Sequence, residues 1–409
     1  MPSRRAPGVI LTHMLTISRR SFVLSSVAAL GLRPRLTWDD LDAFIEAEMT
    51  KDTIPGLAAV VVKSGRIAWS RGYGFADIGA GRKMDPAATI QNIGSISKTF
   101  TGTAVMQLVE RNQIDLDQDV SRYVGFDVRH PSHPTIPITC RLLLTHRSGI
   151  IDGDAYEAGY ACGDPTTALG DWLREYLTPT GKQFNATDNF GDWQPGSTWK
   201  YSNIGFGLLG HIVEKVSGET FRDYTRKHIF EPLGLTNVGW FWSDIDPATH
   251  ASTYTPVSPK TEKSIAEARQ KGLIDHGPEH HPSLGEFQAF CRYNFTNYTD
   301  GALRVSANGL ARFLIAYVSG GAPLLRPETV RQMLTPAASL SADSAQGLVW
   351  RSNHVTSDLR WGHGGADPGI RTGMAFRPSD GVGVIVFVNR GGVALERITD
   401  RLFAEAGRL

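Results

Sequence analysis

Three short strings along the chain carry the residue types needed to acylate a serine and then release the acyl group. Ser95 is followed by Lys98 three residues later, Tyr201 is followed by Asn203, and His363 is followed by two glycines. A hydroxyl nucleophile, a nearby amine, a phenol with a carboxamide, and an imidazole are the parts of a serine acyl-transfer site. Each string is weak alone, and together they indicate covalent catalysis on a serine.

The first string is predicted to open a helix over 95–111 with a strongly apolar side. Ser95 there has an ordinary explanation, because serine oxygens commonly accept backbone N–H groups at helix starts. The same position favours an alkoxide or oxyanion, since a helix N-terminus is electropositive. Lys98 lies one turn further on the same face and can take the serine proton if burial disfavours its charged form. We therefore expect Ser95 as nucleophile and Lys98 as proton acceptor.

The second string precedes a predicted helix over 203–216. A buried tyrosine followed by a helix-capping asparagine would explain it without any catalytic role. Functionally, the Tyr201 phenol beside Lys98 can shuttle protons, and Asn203 can hydrogen-bond Lys98 and a substrate carbonyl. A second Ser-x-x-Lys copy at 197–200 lies in a predicted loop and is interpreted as a coincidence, as is Lys-Ser-Gly at 63–65, which reads as a hairpin turn.

The third string is predicted to end a strand. A lone histidine there is most often structural, but the flanking glycines indicate close backbone approach to another group. The strand edge can hold an extended acyl chain through main-chain hydrogen bonds, so Gly365 and Ala366 are expected to contact substrate. The N–H groups of Ala366 and Ser95 would form an oxyanion hole. His363 would donate to a substrate carboxylate or polarise Tyr201.

The elements that must position these residues fall into two groups. Helix and strand patterns occupy about 38–90 and 345–409, and mostly helical patterns occupy about 95–340. A single sheet built from both ends, with a helical domain inserted, satisfies this order. Residues 241–300 lack clear periodicity and carry many aromatic side chains, which favours a binding loop or lid and an apolar acyl or aryl substrate.

Composition excludes several other classes of protein. The 409 residues are 41% hydrophobic and 20% charged, with a formal net charge of +1. This balance is typical of a soluble globular enzyme and argues against a nucleic-acid-binding surface. Cys140, Cys162 and Cys291 allow one bridge, and buried free thiols are the expected state. The His-rich run at 276–282 is interpreted as a solvated loop rather than a metal site, because Pro and Gly interrupt it.

The three motifs in this order resemble the serine β-lactamase and penicillin-recognising hydrolase superfamily. Tyr-x-Asn, rather than Ser-x-Asn, is similar to the class C branch, which also holds D-alanyl-D-alanine carboxypeptidases, D-amino-acid peptidases and family VIII carboxylesterases. Flanking residues at 92–100 and 138–149 strengthen the resemblance, which spans about 38–405. It implies an α/β (α+β), β-lactamase-like fold: an antiparallel sheet flanked by helices plus an all-helical domain, with the active serine at their junction.

The resemblance also implies site roles and substrates. Ser95 carries over as the nucleophile of a covalent acyl-enzyme, Lys98 as its proton acceptor and Tyr201 as acid/base. Asn203 carries over as a contact to substrate and lysine, and His363 carries over to the first position of the third motif. The resemblance implies no metal and no cofactor, and a small-molecule ester, peptide or β-lactam as substrate.

One departure from the class C pattern bears on substrate. Class C β-lactamases have Lys-Thr-Gly at the third motif, where this chain has His363-Gly364-Gly365. A histidine is mostly neutral near pH 7 and does not replace a fixed cation for a β-lactam carboxylate. The leading hypothesis is therefore a serine hydrolase of carboxylesterase or D-peptidase type. A class C-like β-lactamase is the first alternative, and a catalytically inactive binding protein on the same fold is the second.

Residues 1–30 are predicted to be a twin-arginine export signal. Arg19 and Arg20 precede an apolar stretch over 22–32, and small residues at 27–29 suit cleavage. A disordered basic arm or a short packed helix is the alternative. The apolar stretch is shorter than the roughly twenty residues needed to span a bilayer, so no stable membrane insertion is expected after signal removal. Residues 31–409 would then form a periplasmic or secreted hydrolase domain.

Overall fold

A computed structural model describes residues 38–274, 276–355 and 358–408. The chain divides into two units, 1–42 and 43–409, and only the last five residues of the first unit are described. The predicted export signal lies outside the described residues, so that signal and its boundary stay predictions. Within the described ranges, no helix has the length and apolar character needed to cross a membrane.

The first elements combine a helix, short and long strands, and a buried helix. They are α1 (Trp38–Lys51), β1 (Gly56–Lys63), β2 (Arg66–Asp77), β3 (Arg82–Lys83), β4 (Ile90–Asn92) and α2 (Ser97–Glu110). The turn between β1 and β2 places Ser64 and Gly65 at φ values of 52° and 69°. Two consecutive residues with positive φ are typical of the two-residue hairpin turn whose twist matches that of the strands.

The middle of the chain is mainly helical. It contains α3 (Ser121–Val124), α4 (Cys140–Leu144), α5 (Asp154–Glu157), β5 (Tyr160–Cys162), α6 (Leu169–Leu177), α7 (Ile204–Ser217) and α8 (Phe221–Thr225). It continues with β6 (Tyr254–Pro256), α9 (Glu262–Gln270), β7 (Glu279–His281), β8 (Gly285–Ala289), β9 (Tyr293–Phe295), β10 (Arg304–Ser306), α10 (Ala307–Val318) and α11 (Pro327–Met333).

The C-terminal part returns to strands and closes with a helix. Its elements are β11 (Ala338–Ser341), β12 (Ser344–Gln346), β13 (Arg351–Val355), β14 (Asp358–Asp367), β15 (Ile370–Arg377), β16 (Val382–Val388) and α12 (Glu396–Ala406).

The main sheet joins both ends of the chain. Its nine strands run in the order β11-β12-β13-β14-β15-β16-β1-β2-β3, and neighbouring strands are antiparallel. β1 and β16 are rich in β-branched residues and are buried at nearly every position, so both faces of the sheet are covered at its centre. Helices α10 and α12 pack on β16. The predicted fold class, an antiparallel sheet flanked by helices, is confirmed.

Helix α2 runs through the interior between the sheet and the helical region. Every residue from Ser97 to Leu108 is buried, and α2 packs against α7. Its Phe100 ring stacks on Phe313 of α10 at 3.9 Å between centroids and meets Phe230 edge-on at 6.1 Å. Burial on all sides is typical of a helix that is central to the core and holds the first turn, with its chemistry, in one orientation.

One prediction about the 241–300 segment is wrong, and a second loses its support. The segment is not structureless, because it forms β6, α9, β7, β8 and β9, three of which make a small antiparallel sheet. Its aromatic side chains at 254, 287, 293, 295 and 298 are at most 5% exposed. These side chains are part of the hydrophobic core, so their presence is not evidence for an apolar substrate. The His-rich run at 276–282 likewise contributes β7 rather than only a loop.

The cysteine prediction also needs correction. Cys162, at the end of β5, and Cys291, two residues after β8, form a disulfide across 129 residues of sequence, and Cys140 is the buried free thiol. The sequence favoured free thiols because no spacing marked a pair. The pairing arises because β5 lies antiparallel to β9, which begins two residues after Cys291.

Candidate active site

Ser95 lies in a 3-10 turn, Gly94–Ile96, that joins β4 to α2. The predicted helix therefore begins two residues later than expected, at Ser97. Gly94 has a φ of 54°, and a Cβ there would stand 2.9 Å from the backbone nitrogen of Ala366. Asn92 Oδ1 accepts the Gly94 N–H at 2.7 Å. A glycine is required here because residue 94 has a positive φ and its backbone is in direct contact with β14.

Lys98 lies in the first turn of α2 with its side chain fully buried, and its ammonium contacts three oxygens. Nζ stands 3.1 Å from Ser95 Oγ, 2.6 Å from Asn203 Oδ1 and 2.8 Å from the backbone oxygen of Asp300. The sequence placed the lysine and serine on one face, and the structure brings their polar atoms into hydrogen-bond contact. A neutral amine in this position can take the Ser95 proton directly.

Asn203 is oriented by Asp152 rather than by a helix-capping bond of its own. It occupies the N-cap of α7 but makes no side-chain capping bond. Asp152 accepts from the backbone N–H groups of Asn203 at 2.7 Å and Ile204 at 3.0 Å, and from Asn203 Nδ2 at 2.9 Å. The purely structural explanation of this asparagine, as a cap, therefore does not hold. Its carboxamide oxygen is directed at Lys98.

The Tyr201 ring lies between Lys98 and a group of other basic side chains. Its centroid is 5.0 Å from Lys98 Nζ, 4.3 Å from the His146 ring and 4.8 Å from the Arg351 guanidinium carbon. His146 Nδ1 accepts the Ser202 N–H at 3.1 Å, and burial holds the pKa of His146 well below its usual range. The tyrosine thus has a lysine, an arginine and a neutral imidazole around it.

His363 is buried as a neutral imidazole inside β14, not at the end of a strand as predicted. Burial, with Arg351 and Lys98 nearby, lowers its pKa to about 3. Its Nδ1 lies 2.8 Å from the backbone oxygen of Gly364, and a carbonyl oxygen only accepts, so Nδ1 carries the proton. Nε2 is then an acceptor, and it has no partner among the described residues. The predicted donation to a substrate carboxylate does not fit this tautomer.

Gly365 and Ala366 lie where β14 faces the serine turn. β13 pairs with β14 only as far as Arg351 opposite Gly362, so of the described strands only β15 pairs with residues 363–367. A Cβ on Gly365 would stand 2.0 Å from the backbone oxygen of Ile93, so only glycine allows this approach. The geometry brings the Ala366 backbone next to the Ser95 turn, and the oxyanion hole stays a prediction.

The serine and lysine side chains of the motifs interpreted as coincidences are exposed or bonded to other groups. Ser197 and Lys200 are exposed, and Ser197 Oγ donates to the backbone oxygen of Gln194. Lys63 Nζ donates to the backbone oxygen of Ala406, which agrees with a structural hairpin. Among the described residues, no group of three or more His, Cys, Asp or Glu side chains is placed to hold a metal ion.

Several residues of the site were missed by sequence reasoning. They are Arg351 and His146 beside Tyr201, Asp152 behind Asn203, Asp300 behind Lys98, and Asp367, which accepts from Asn92 Nδ2 at 3.0 Å. Burial raises the pKa of both Asp300 and Asp367 to about 7. His146 lies in the segment 138–149 that strengthened the resemblance, although no role was assigned to it. The other four lie in no recognisable motif, and the available signal was their closeness in sequence to predicted loops and strand ends.

Comparison with known proteins agrees with this geometry. The Beta-lactamase family model matches residues 41–407. Protein flp of Staphylococcus aureus (strain N315) is 29% identical over 239 residues, which cover 56% of this chain and 45% of that protein, so the match spans about half the length of that relative.

Solved structures share the fold. The octameric penicillin-binding protein homologue from Pyrococcus abyssi superposes with a TM-score of 0.70 at 24% identity, covering 91% of this chain and 77% of that one. D-amino acid amidase from Ochrobactrum anthropi SV3, complexed with D-phenylalanine, superposes with a TM-score of 0.69 at 19% identity, covering 90% of this chain and 100% of that one. The solved structures show the same fold, and the family match over nearly the whole described chain shows that this protein belongs to the Beta-lactamase family.

Proposed function

We propose that this protein is a hydrolase that forms a covalent acyl-enzyme on Ser95 and cleaves an ester or amide. The observation that carries the proposal is the 3.1 Å contact between Ser95 Oγ and the fully buried Lys98 Nζ. Two further acceptors, Asn203 Oδ1 and the backbone oxygen of Asp300, hold that amine in place. A buried, oriented amine beside a half-buried serine is an arrangement that suits an activated nucleophile.

Each reacting group has a role that its position supports. As Ser95 Oγ attacks the substrate carbonyl, its proton passes to Lys98 and the carbonyl electrons move onto the oxygen, which the N–H groups of Ser95 and Ala366 stabilise. When the intermediate collapses, the bond to the leaving group breaks and Tyr201 donates its hydroxyl proton to that group. The phenolate then takes a proton from the water that attacks the acyl-enzyme, and Lys98 returns its proton to Ser95 Oγ as the acyl–serine bond breaks. His363 Nε2, an acceptor, suits a hydrogen bond from the Tyr201 hydroxyl or from a substrate N–H; the rings of His363 and Tyr201 are 6.4 Å apart.

The substrate class we favour bears a carboxylate, as a D-peptide does. The neutral His363 supplies no cation, whereas Arg351 lies against the rings of Tyr201 and Trp199 at 4.8 and 5.0 Å. An arginine beside the acid/base residue suits bidentate binding of a carboxylate. The amidase of similar fold, whose structure contains D-phenylalanine, makes a D-peptide with a free carboxylate a natural first substrate, with D-phenylalanine amide as the counterpart that lacks the carboxylate. A neutral ester of carboxylesterase type is the other member of the leading hypothesis.

A class C-like β-lactamase is the second candidate, because Arg351 offers a cation to a β-lactam carboxylate even though the third motif lacks lysine. A non-catalytic binding protein is the alternative of another class. It has no need for an amine, a phenol and a carboxamide all held at one serine.

Intact-protein mass spectrometry separates these candidates. Residues 31–409 and a Ser95→Ala variant are incubated with a fluorophosphonate, a p-nitrophenyl ester, a D-peptide with a free carboxylate, D-phenylalanine amide and a penicillin. We expect Ser95-dependent labelling by the fluorophosphonate and turnover of the amide or ester. A persistent penicillin adduct supports the peptidase, and an adduct that clears quickly supports the β-lactamase. Absence of any Ser95-dependent adduct overturns the proposal in favour of a binding protein.

We also propose that the chain is exported by its twin-arginine segment, with cleavage near residue 30. The Cys162–Cys291 disulfide supports this, because such bonds persist in oxidising compartments. Replacement of Arg19 and Arg20 by lysine should retain the precursor in the cytoplasm. Normal fractionation of that variant into the periplasm or medium would contradict export by this route.

A further inference from the structure

Lys98 and Asp300 form a buried ion pair directly behind the nucleophile. Their side chains are 0% and 1% exposed, and Nζ stands 3.7 Å from Asp300 Oδ2. The backbone oxygen of the same aspartate accepts from Nζ at 2.8 Å. One residue thus presents both a carboxyl group and a carbonyl to the amine that faces Ser95. No motif in the sequence marks this aspartate.

The Asp300 carboxyl is poised between its two protonation states. Tyr156 donates to Oδ2 at 2.8 Å, while Oδ1 is buried without a partner among the described residues. Burial is the largest influence and raises the pKa of Asp300 to about 7, against the opposing effects of Lys98 and Tyr156. The remaining titratable groups that act on it from neighbouring elements are Asp152 before α5, Tyr160 of β5 and Asp367 of β14.

We propose that Asp300 is a positioning residue that sets the charge of Lys98 and thereby the pH at which Ser95 becomes reactive. The inference rests on the proposed function, in which Lys98 takes the Ser95 proton. An ionised Asp300 stabilises the ammonium form of Lys98, which has no lone pair for that proton. A neutral Asp300 removes this stabilisation and leaves the amine form more populated. The aspartate touches no substrate and acts only through the lysine.

The test is the pH dependence of Ser95 labelling in the full chain and in Asp300→Asn. The carboxamide keeps the shape of the side chain and removes its charge. The rate of fluorophosphonate adduct formation is followed by intact mass from pH 5 to pH 10. The labelling rate should rise with pH in both proteins. The midpoint, which is the pH at which the rate is half its maximum, should be lower in the variant by about one pH unit or more. An unmoved midpoint, whatever the change in rate, overturns the proposal.

Glu405→Gln is the matched control. Glu405 is also a buried carboxylate, but it pairs with Arg401 of α12 and with Arg408 rather than with Lys98. Its midpoint should equal that of the unmodified chain, and an equal shift in both variants would overturn a specific role for Asp300. If Asp300→Asn does not fold, Tyr156→Phe is used instead, because it removes the hydroxyl that stabilises the ionised Asp300 carboxylate. This variant should lower the midpoint by less than Asp300→Asn would. An unmoved midpoint in Tyr156→Phe overturns the proposal. Failure of the proposed function would give a different result from failure of the Asp300 proposal, because the unmodified chain would then show no Ser95-dependent label at any pH.

Discussion

Asp152 determines which way the Asn203 carboxamide points. Its Oδ2 accepts from Asn203 Nδ2 at 2.9 Å, so the oxygen of the same carboxamide faces Lys98 at 2.6 Å. Its Oδ1 accepts the first N–H groups of α7 and so takes over the capping role that Asn203 would otherwise have. A half-buried carboxylate outside every motif therefore fixes the hydrogen bond on which the orientation of the catalytic amine depends.

Replacement of Lys98 by methionine should lower the rate of acyl-enzyme formation by about 10²- to 10⁴-fold, because the side-chain stem is kept while the proton acceptor is lost. The second Ser-x-x-Lys copy supplies a matched control: Lys200 is exposed, and Lys200→Met should leave the rate unchanged. Stopped-flow measurement with a p-nitrophenyl ester checks both. Equal losses in the two variants would contradict the assignment of the first copy as the site.

The buried neutral imidazole of His363 should make stability depend on pH. Its folded-state pKa of about 3 lies below the unfolded value near 6.5, so below pH 6.5 the unfolded chain binds more protons and stability falls towards pH 3. His363→Asn keeps a donor for the Gly364 oxygen and removes this titration. The stability difference, unmodified chain minus variant, should increase from pH 4 to 6.5 by at most about 1.4 kcal/mol per pH unit and then level off. Urea unfolding at a series of pH values measures it, and a pH-independent difference would refute the neutral assignment.

Arg351→Gln should discriminate between substrates with and without a carboxylate. Loss of a charge-assisted hydrogen bond costs about 1.5–3 kcal/mol, or roughly ten- to a hundredfold in kcat/KM, for a D-peptide with a free carboxylate. A neutral p-nitrophenyl ester should be affected much less. Arg292, exposed and facing Trp242 rather than Tyr201, provides the control Arg292→Gln. An equal loss on both substrates would show that Arg351 acts on Tyr201 rather than on the substrate.

The Cys162–Cys291 bond should contribute about 2–5 kcal/mol to the free energy of unfolding, since it closes a loop of 129 residues. The double variant Cys162→Ser/Cys291→Ser avoids leaving a free thiol and should unfold at lower denaturant concentration. A thiol reductant should destabilise the unmodified chain and leave the double variant unchanged. An unmodified chain that does not respond to reductant under denaturing conditions would indicate that the bond does not form.

The sequence by itself was enough to identify the residues that can carry out the chemistry and to predict that both ends of the chain share one sheet. The spacing of Ser95 and Lys98 fixes them one turn apart near a helix start, and this relation survives the shift of the helix start to Ser97 because both conformations are right-handed turns. The apolar strands at both ends could be assigned to one sheet because local patterning reports strand and turn directly. Helix α7 and the β1–β2 hairpin followed from the same patterning.

Only the tertiary structure decided what surrounds those residues. Whether His363 is charged depends on its burial beside Arg351 and Lys98, which come from other elements. The Cys162–Cys291 pair, the buried aromatics of 241–300 and the Asp300 carboxyl behind Lys98 likewise depend on contacts between segments far apart in sequence. Local patterning reports the periodicity of one segment, whereas burial, charge state and pairing arise from the packing of several. The sequence therefore indicates which groups can react, and the packing sets their protonation and orientation.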